Sequence, residues 1–130
     1  MQNFVDDLLF KDECYKIIGI CMKIHSILGQ GFKEIVYKDA MEIEFEKNGI
    51  PFEREKEFRI MYEGVELKRK FITDYFVYNA IVLEVKAQYS TASPAFRQTL
   101  NYVKASDVQL GIMINFGESR LKFQRVICTR

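Results

Sequence analysis

The chain has 130 residues, 48% of them hydrophobic and 28% charged, with a formal net charge of +1. That length fits one domain, residues 1–130, around one core. The near-neutral balance means that any polyanionic partner must be met by a local patch and not by a bulk field. No apolar run reaches the roughly 18 residues of a membrane helix, and the acidic opening MQNFVDDLLFKDE lacks the pattern of a secretory leader.

Residues 12–29 read as a helix, with Asp12 as its cap and Cys14, Ile17, Ile18, Cys21, Ile24 and Leu28 recurring at helical spacing. Cys14 and Cys21 would lie two turns apart on it, roughly 10 Å by rise, too far to bridge. With Cys128 the cysteine count is odd. All three are read as reduced thiols, which places the chain in the cytoplasm. Gly29-Gln30-Gly31 breaks this helix, and a second runs over 32–48 until Asn48-Gly49 and Pro51 end it. Its apolar positions are Ile35, Val36, Ala40, Met41, Ile43 and Phe45.

The period then changes from helical to alternating. Residues 54–62 form a strand, Glu63-Gly64 a turn, and 65–78 a continuing extended stretch. A tight turn near Asn79-Ala80 leads into a strand over 81–87. Ser93-Pro94 is a helix start, a capping hydroxyl followed by a first-turn proline, for a helix running to about Lys104 or Ala105. LGIMINF (110–116) is a buried strand, and 120–127 a last strand at or near a sheet edge. The order ααβββαββ implies a mixed α/β fold, a central mixed sheet with helices on its faces.

Chemistry concentrates in FITDYFVY (71–78) and IVLEVKA (81–87). Glu84 and Lys86 alternate along a strand and so share a face, while Ile81, Leu83 and Val85 point the other way. Such charges mid-strand are costly to bury without a purpose. Two carboxylates hold a hard divalent cation through oxygen, and a neighbouring lysine steadies a hydroxide or a phosphate. Asp74 joins them only if the register allows it. A two-residue loop at Asn79-Ala80 would pair Tyr78 with Ile81 and set Asp74 against Val85, on the wrong face; a three-residue loop or a bulge corrects this. A bland reading stays open, in which these charges are an ion pair on a solvated sheet face.

Gly31, Glu34, Tyr37 and Met41 share one helical face, so Glu34 is a candidate to point inward, or else a boundary glutamate bonded locally. Gln98 and Tyr102 lie one turn apart and could orient a phosphate, a metal-bound water or Lys86, or simply flank a half-buried helix. His25 reads as a structural hydrogen-bonder. Lys68, Arg69 and Lys70, then Arg97 and Lys104, then Arg120, Lys122 and Arg125 are candidate phosphate contacts or ordinary solvated faces. The chain has no GxSxG, phosphate-cradling glycine loop or dinucleotide fingerprint. A single histidine leaves no zinc spacing.

Gly31-Phe32-Lys33-Glu34-Ile35-Val36-Tyr37 matches G-x-x-E-x-x-Y. With the lead-in from His25, the Asp74…Glu84-Val85-Lys86 core, the Gln98-Thr99-Leu100-Asn101-Tyr102 block and the closing 110–117, the chain resembles the GxxExxY family of the PD-(D/E)xK nuclease superfamily over about His25 to Phe116. Gln98 and Tyr102 resemble the Q-x-x-x-Y motif of RecB-like nucleases. The resemblance implies a restriction-endonuclease-like fold. It also implies that Asp74 and Glu84 ligate Mg²⁺ or Mn²⁺, with the Val85 carbonyl and Glu34 as further ligands. Lys86 would orient or deprotonate the attacking water, and Gln98 and Tyr102 would position lysine and phosphate. The function implied is a metal-dependent nuclease acting on nucleic acid, DNA above RNA, in repair, recombination or defence. The alternative is a non-catalytic module that binds nucleic acid or protein and keeps the cluster for structure. So small a chain also invites a homodimer or a protein partner.

Overall fold

The computed structural model describes residues 9–89, 94–105 and 108–127. Cys128, the Ser93 cap and the first eight residues lie outside them. Helix α1 spans Lys11–Leu28 and turns Cys14, Ile17, Ile20, Cys21 and Ile24 inward. It starts one residue before Asp12, after Phe10 in a left-handed conformation (φ 51°), and no side chain caps it. Asp12 and Glu13 lie in its first turn, where negative charge suits the helix dipole. Cys14 and Cys21 are free and buried, and burial pushes the Cys21 thiol up to about 12, which leaves it unreactive.

Helix α2, Glu34–Lys47, ends as its Asn48-Gly49 signal requires: Gly49 takes φ 64°, and the Ile50 N–H closes on the Phe45 carbonyl at 2.9 Å. The buried arc is Tyr37, Lys38, Met41 and Phe45. Ile35 and Ile43, expected among its apolar positions, instead lie on the opposite side, each at least half exposed. The six apolar positions do not together define the stripe; the large aromatics Tyr37 and Phe45, two turns apart, do.

Strands β1 (Phe52–Arg54), β4 (Tyr75–Val77), β5 (Ile81–Lys86), β6 (Leu110–Asn115) and β7 (Lys122–Ile127) form one sheet in the order β1-β4-β5-β6-β7. Only the β5–β6 pair is parallel, as its crossover through helix α3 (Pro94–Ala105) demands. The sheet is therefore mixed. Strands β2 (Glu57–Tyr62) and β3 (Val65–Ile72) form a separate hairpin. Two stretches expected to be continuous are thus divided. Glu55, at φ 58°, separates β1 from β2, and Thr73-Asp74 separates β3 from β4. Main-chain bonds between the two breaks, Glu55 N–H to Asp74 O and Thr73 N–H to Lys56 O, both 2.9 Å, tie them side by side.

One sheet face carries Tyr75, Val77, Ile81, Leu83, Val85, Ile112 and Ile114 against α1 and α2. The other carries Phe76, Val82 and Met113 against Phe71 of the hairpin and Val103 of α3. Phe58 meets Phe76 edge-on at 5.4 Å, and Phe71 stacks on Tyr102 at 5.4 Å, so aromatic contacts dock the hairpin base. No helix among the described residues is long and apolar enough to cross a membrane.

Gly111 in β6 lets α3 approach the sheet. A methyl group there would lie 2.2 Å from Val103 Cγ1. Gly111→Ala is expected to lower unfolding stability by about 1–3 kcal/mol in a denaturant titration. Adding Val103→Ala should recover part of that loss, and independent, additive effects would speak against the clash.

Candidate metal centre at the Asp74–Glu84 pair

The connection from β4 to β5 decides where the acids lie. Val77 pairs with Ile81, leaving three residues, Tyr78-Asn79-Ala80, in the loop, and the Ala80 N–H closes on Val77 O at 3.0 Å. Tyr78 and Asn79 both take left-handed φ, 55° and 53°. Of the two corrections that the register argument allowed, a three-residue loop or a bulge, the structure has the loop. Tyr75 stands opposite Leu83, so one step further Asp74 stands opposite Glu84. A one-residue slip would turn the two carboxylates to opposite faces.

Each acid holds the other strand. Asp74 Oδ2 accepts the Val85 N–H at 2.7 Å, and Glu84 Oε2 accepts the Asp74 N–H at 3.0 Å. Thr73 Oγ1 donates to Glu84 Oε2 at 2.6 Å and lies 3.1 Å from the Tyr75 and Leu83 carbonyls. A hydroxyl has one proton, and the carboxylate is the strongest of these acceptors. Asp74 Oδ1 accepts from Lys38 Nζ at 3.0 Å. Glu84 is 5% exposed. Burial pushes its carboxyl up to about 7, and the negative charge of Asp74 adds to the rise. The Thr73 hydroxyl, the Asp74 N–H and the Lys86 charge oppose it.

Two oxygens at the pair remain unclaimed among the described residues. Glu84 Oε1 takes no hydrogen bond, its partner atom Oε2 taking both. The Val85 N–H and C=O both project beyond the end of β4, and Asp74 occupies only the N–H. Carboxylate and carbonyl oxygens beside a half-buried lysine form a donor set that suits a hard divalent cation. The residues present therefore fit such an ion. Lys86, on the same face two residues on, makes no ion pair among the described residues.

The other expected site residues lie differently. Glu34 is half-buried at the start of α2 and makes no hydrogen bond or ion pair among the described residues. Among these residues no three His, Cys, Asp or Glu side chains gather as a metal cluster. The acids meet as a pair. Gln98 is exposed, and the Tyr102 ring lies flat on Phe71, so no hydrogen bond joins either to Asp74, Glu84 or Lys86. Lys68, Arg69 and Lys70 are exposed on β3, and Lys70 already pairs with Glu57 at 3.2 Å. Arg97 and Lys104 are exposed on α3. Arg120 and Lys122 are exposed, but Arg125 spends a guanidinium N–H on the Leu9 carbonyl at 2.6 Å. His25 bonds the Glu118 carbonyl at 2.9 Å, the structural role expected of it.

Three residues escaped the sequence reading. Lys38 sits one turn past Glu34 on the buried arc of α2, a lysine where the spacing calls for an apolar residue. Thr73 is fully buried directly before Asp74. Asn115, the lone polar residue of the apolar run 110–116, accepts the Gln88 and Gly117 N–H groups at 2.9 and 3.1 Å. Its amide donates to Gln88 O and Glu118 Oε2 at 2.9 and 3.0 Å. It thereby clamps the end of β5 just past Lys86.

Comparison with curated proteins gives no match. The crystal structure of SSO0001 superposes with a TM-score of 0.53 at 18% sequence identity, over 71% of this chain and 48% of that one. The chain thus spans about half the length of that protein, and the likeness concerns the fold. A family model for the PD-(D/E)XK nuclease superfamily matches residues 11–126. Nucleases of this superfamily usually use divalent metals, and the mixed central sheet with its helices is consistent with its restriction-endonuclease-like fold. The chain belongs to the PD-(D/E)XK nuclease superfamily.

Proposed function

We propose that the chain acts as a single nuclease domain of the GxxExxY branch and hydrolyses phosphodiester bonds, with DNA as the favoured substrate and Mg²⁺ or Mn²⁺ as cofactor. The observation that carries this reading is the reciprocal Asp74–Glu84 lock, which leaves Glu84 Oε1 and the Val85 carbonyl free on the side where Lys86 stands unpaired among the described residues. Asp74, Glu84 and the Val85 carbonyl would hold the ion, with Glu34 approaching from α2. A bound ion of this kind neutralises charge developing on the phosphate and makes a water more acidic. Lys86 would orient the attacking water, accept or steer its proton and stabilise the pentacovalent charge. Gln98 and Tyr102, one turn apart on α3, would contact the bound strand. Lys68, Arg69, Arg97 and Lys104 would meet its phosphates.

A second reading rests on the Lys38–Asp74 pair. Asp74 already has a cationic partner, so the acids could serve structure in a binding module that does not cleave. The two readings separate cleanly. A nuclease is expected to cut single-stranded, duplex or branched DNA in Mn²⁺, with Glu84→Ala and Lys86→Ala each losing at least about a hundredfold in rate. Mn²⁺ should also raise the melting temperature of the wild-type chain and not that of Glu84→Ala. Absence of cleavage on DNA and RNA together with no thermal response to metal would favour the binding module. RNA cleavage alone would reverse the substrate preference.

The Glu84 carboxyl supplies a pH test in chelator. Its folded-state value, about 7, lies above its ordinary 4.5, so between these values the folded chain binds more protons than the unfolded one. Its favourable contribution is complete below 4.5 and is lost as the pH rises through about 7. Relative to the wild type, Glu84→Gln should therefore gain stability from pH 5 to pH 8 in denaturant titrations. Parallel stability curves for the two proteins would contradict the placement of this carboxyl.

A further inference from the structure

We propose that Lys38 is a built-in counter-cation that holds the Asp74–Glu84 site to a single divalent ion by filling the position a second ion would take. This rests on the metal-centre reading above. The Lys38 side chain is 11% exposed, and its Nζ lies 3.0 Å from Asp74 Oδ1 and 3.8 Å from Glu55 Oε2. The backbones that carry these three groups are held together by hydrogen bonds, although the Glu55 side chain itself is 58% exposed. The Tyr75 hydroxyl donates to the Lys38 carbonyl at 2.7 Å. The Glu55 N–H binds the Asp74 carbonyl at 2.9 Å, and the left-handed turn at Glu55 (φ 58°) brings that residue alongside. The ammonium is therefore a placed charge, not a surface lysine that happens to find an acid.

Its placement divides the two oxygens of Asp74. Oδ2 faces the Val85 amide, beside the free Val85 carbonyl and across from Glu84. Oδ1 faces Lys38. Two-ion phosphodiesterase sites set their ions roughly 3.5–4 Å apart, so a carboxylate shared by both ions must offer one oxygen to each. Here the second oxygen is already answered by an ammonium that is itself tethered to Glu55. A dication brought next to that ammonium would meet a repulsion far above thermal energy at so short a distance. Without the lysine charge, Asp74 Oδ1 and Glu55 Oε2 would be two carboxylate oxygens flanking the vacated position, 3.0 and 3.8 Å from where Nζ stands, an acidic oxygen pair of the kind that Mn²⁺ accepts. Lys38 thus does for Asp74 what a second metal does in a two-ion site, with no ion to recruit and none to lose.

Calorimetric titration of Mn²⁺ into the metal-free full chain tests this without any substrate. The wild-type chain is expected to bind one ion. Lys38→Met is expected to bind two, the second at least about tenfold more tightly than any second ion on the wild type. Lys38→Met combined with Glu55→Gln should return to one. Lys38→Gln, which keeps a hydrogen-bond donor for Asp74, takes the place of the methionine variant if that chain does not fold. Two ions on the wild type would overturn the proposal with no variant needed. One ion on both the wild type and a folded Lys38 variant, with affinities within twofold, would overturn it and leave the metal centre standing. No ion on the wild type would remove the metal centre itself, and this inference with it.

Discussion

Two carboxylates forced face to face in a nearly dry pocket repel each other, and the middle of this molecule is organised around making that arrangement tolerable. Asp74 and Glu84 are brought opposite by a three-residue loop whose first two residues accept left-handed backbone angles. Neither residue is glycine, and each left-handed residue costs on the order of 1 kcal/mol. A two-residue loop would slip the register and separate the acids. The burden on Glu84 is met locally by a hydroxyl and an N–H, and the burden on Asp74 by an N–H and an ammonium. What the described residues do not supply is a partner for the remaining Glu84 oxygen, and that gap is where chemistry can enter.

The rest of the fold keeps this pair in place. The reciprocal bonds between Asp74 and the Glu84–Val85 segment replace the ladder that ends when β4 gives way to the hairpin. The Asn115 amide clamps the other side of β5, where all four of its bonds go to the loop past Lys86 and to Gly117-Glu118. Gly117 permits this closeness, since a methyl group there would fall 2.4 Å from the Gln88 backbone. The strand that carries Glu84 and Lys86 is thus held near its C-terminal end by side-chain bonds on both flanks, and from below by an apolar layer of Ile81, Leu83 and Val85. A site so braced places its oxygens before any ligand arrives, which is what electrostatic catalysis requires.

Much of this was legible in the residues themselves. Alternation placed Glu84 and Lys86 on one face, and the same reasoning, applied to loop length, called for a three-residue loop or a bulge, of which the structure has the loop. The continuous run at 110–116 announced a buried strand, and Asn48-Gly49 announced the end of α2. Other features were hidden for physical reasons. The stretch 65–78 contains no glycine or proline, so nothing in the sequence marked that it changes sheets at Thr73-Asp74. Lys38 is a charged residue on a buried arc, and its acidic partner Asp74 lies between two strands, 36 residues away; spacing along the chain carries no sign of that pairing. Tyr102, read as either a polar contact or a half-buried helix flank, stacks its ring on Phe71 at the hairpin base, a contact that helix spacing alone does not announce. Glu34 illustrates the limit of helical phase: it lies on the buried arc, yet at the first residue of α2, where the arc runs out toward solvent.

The central claim is spatial: a divalent ion belongs between Asp74, Glu84 and the Val85 carbonyl. Crystals grown with Mn²⁺ and measured for its anomalous signal test it most directly. An ion is expected within roughly 2.0–2.3 Å of a carboxylate oxygen of each acid and of the Val85 carbonyl oxygen, with Lys38 still on Asp74. Anomalous density elsewhere on the chain, or none at saturating Mn²⁺, would contradict it.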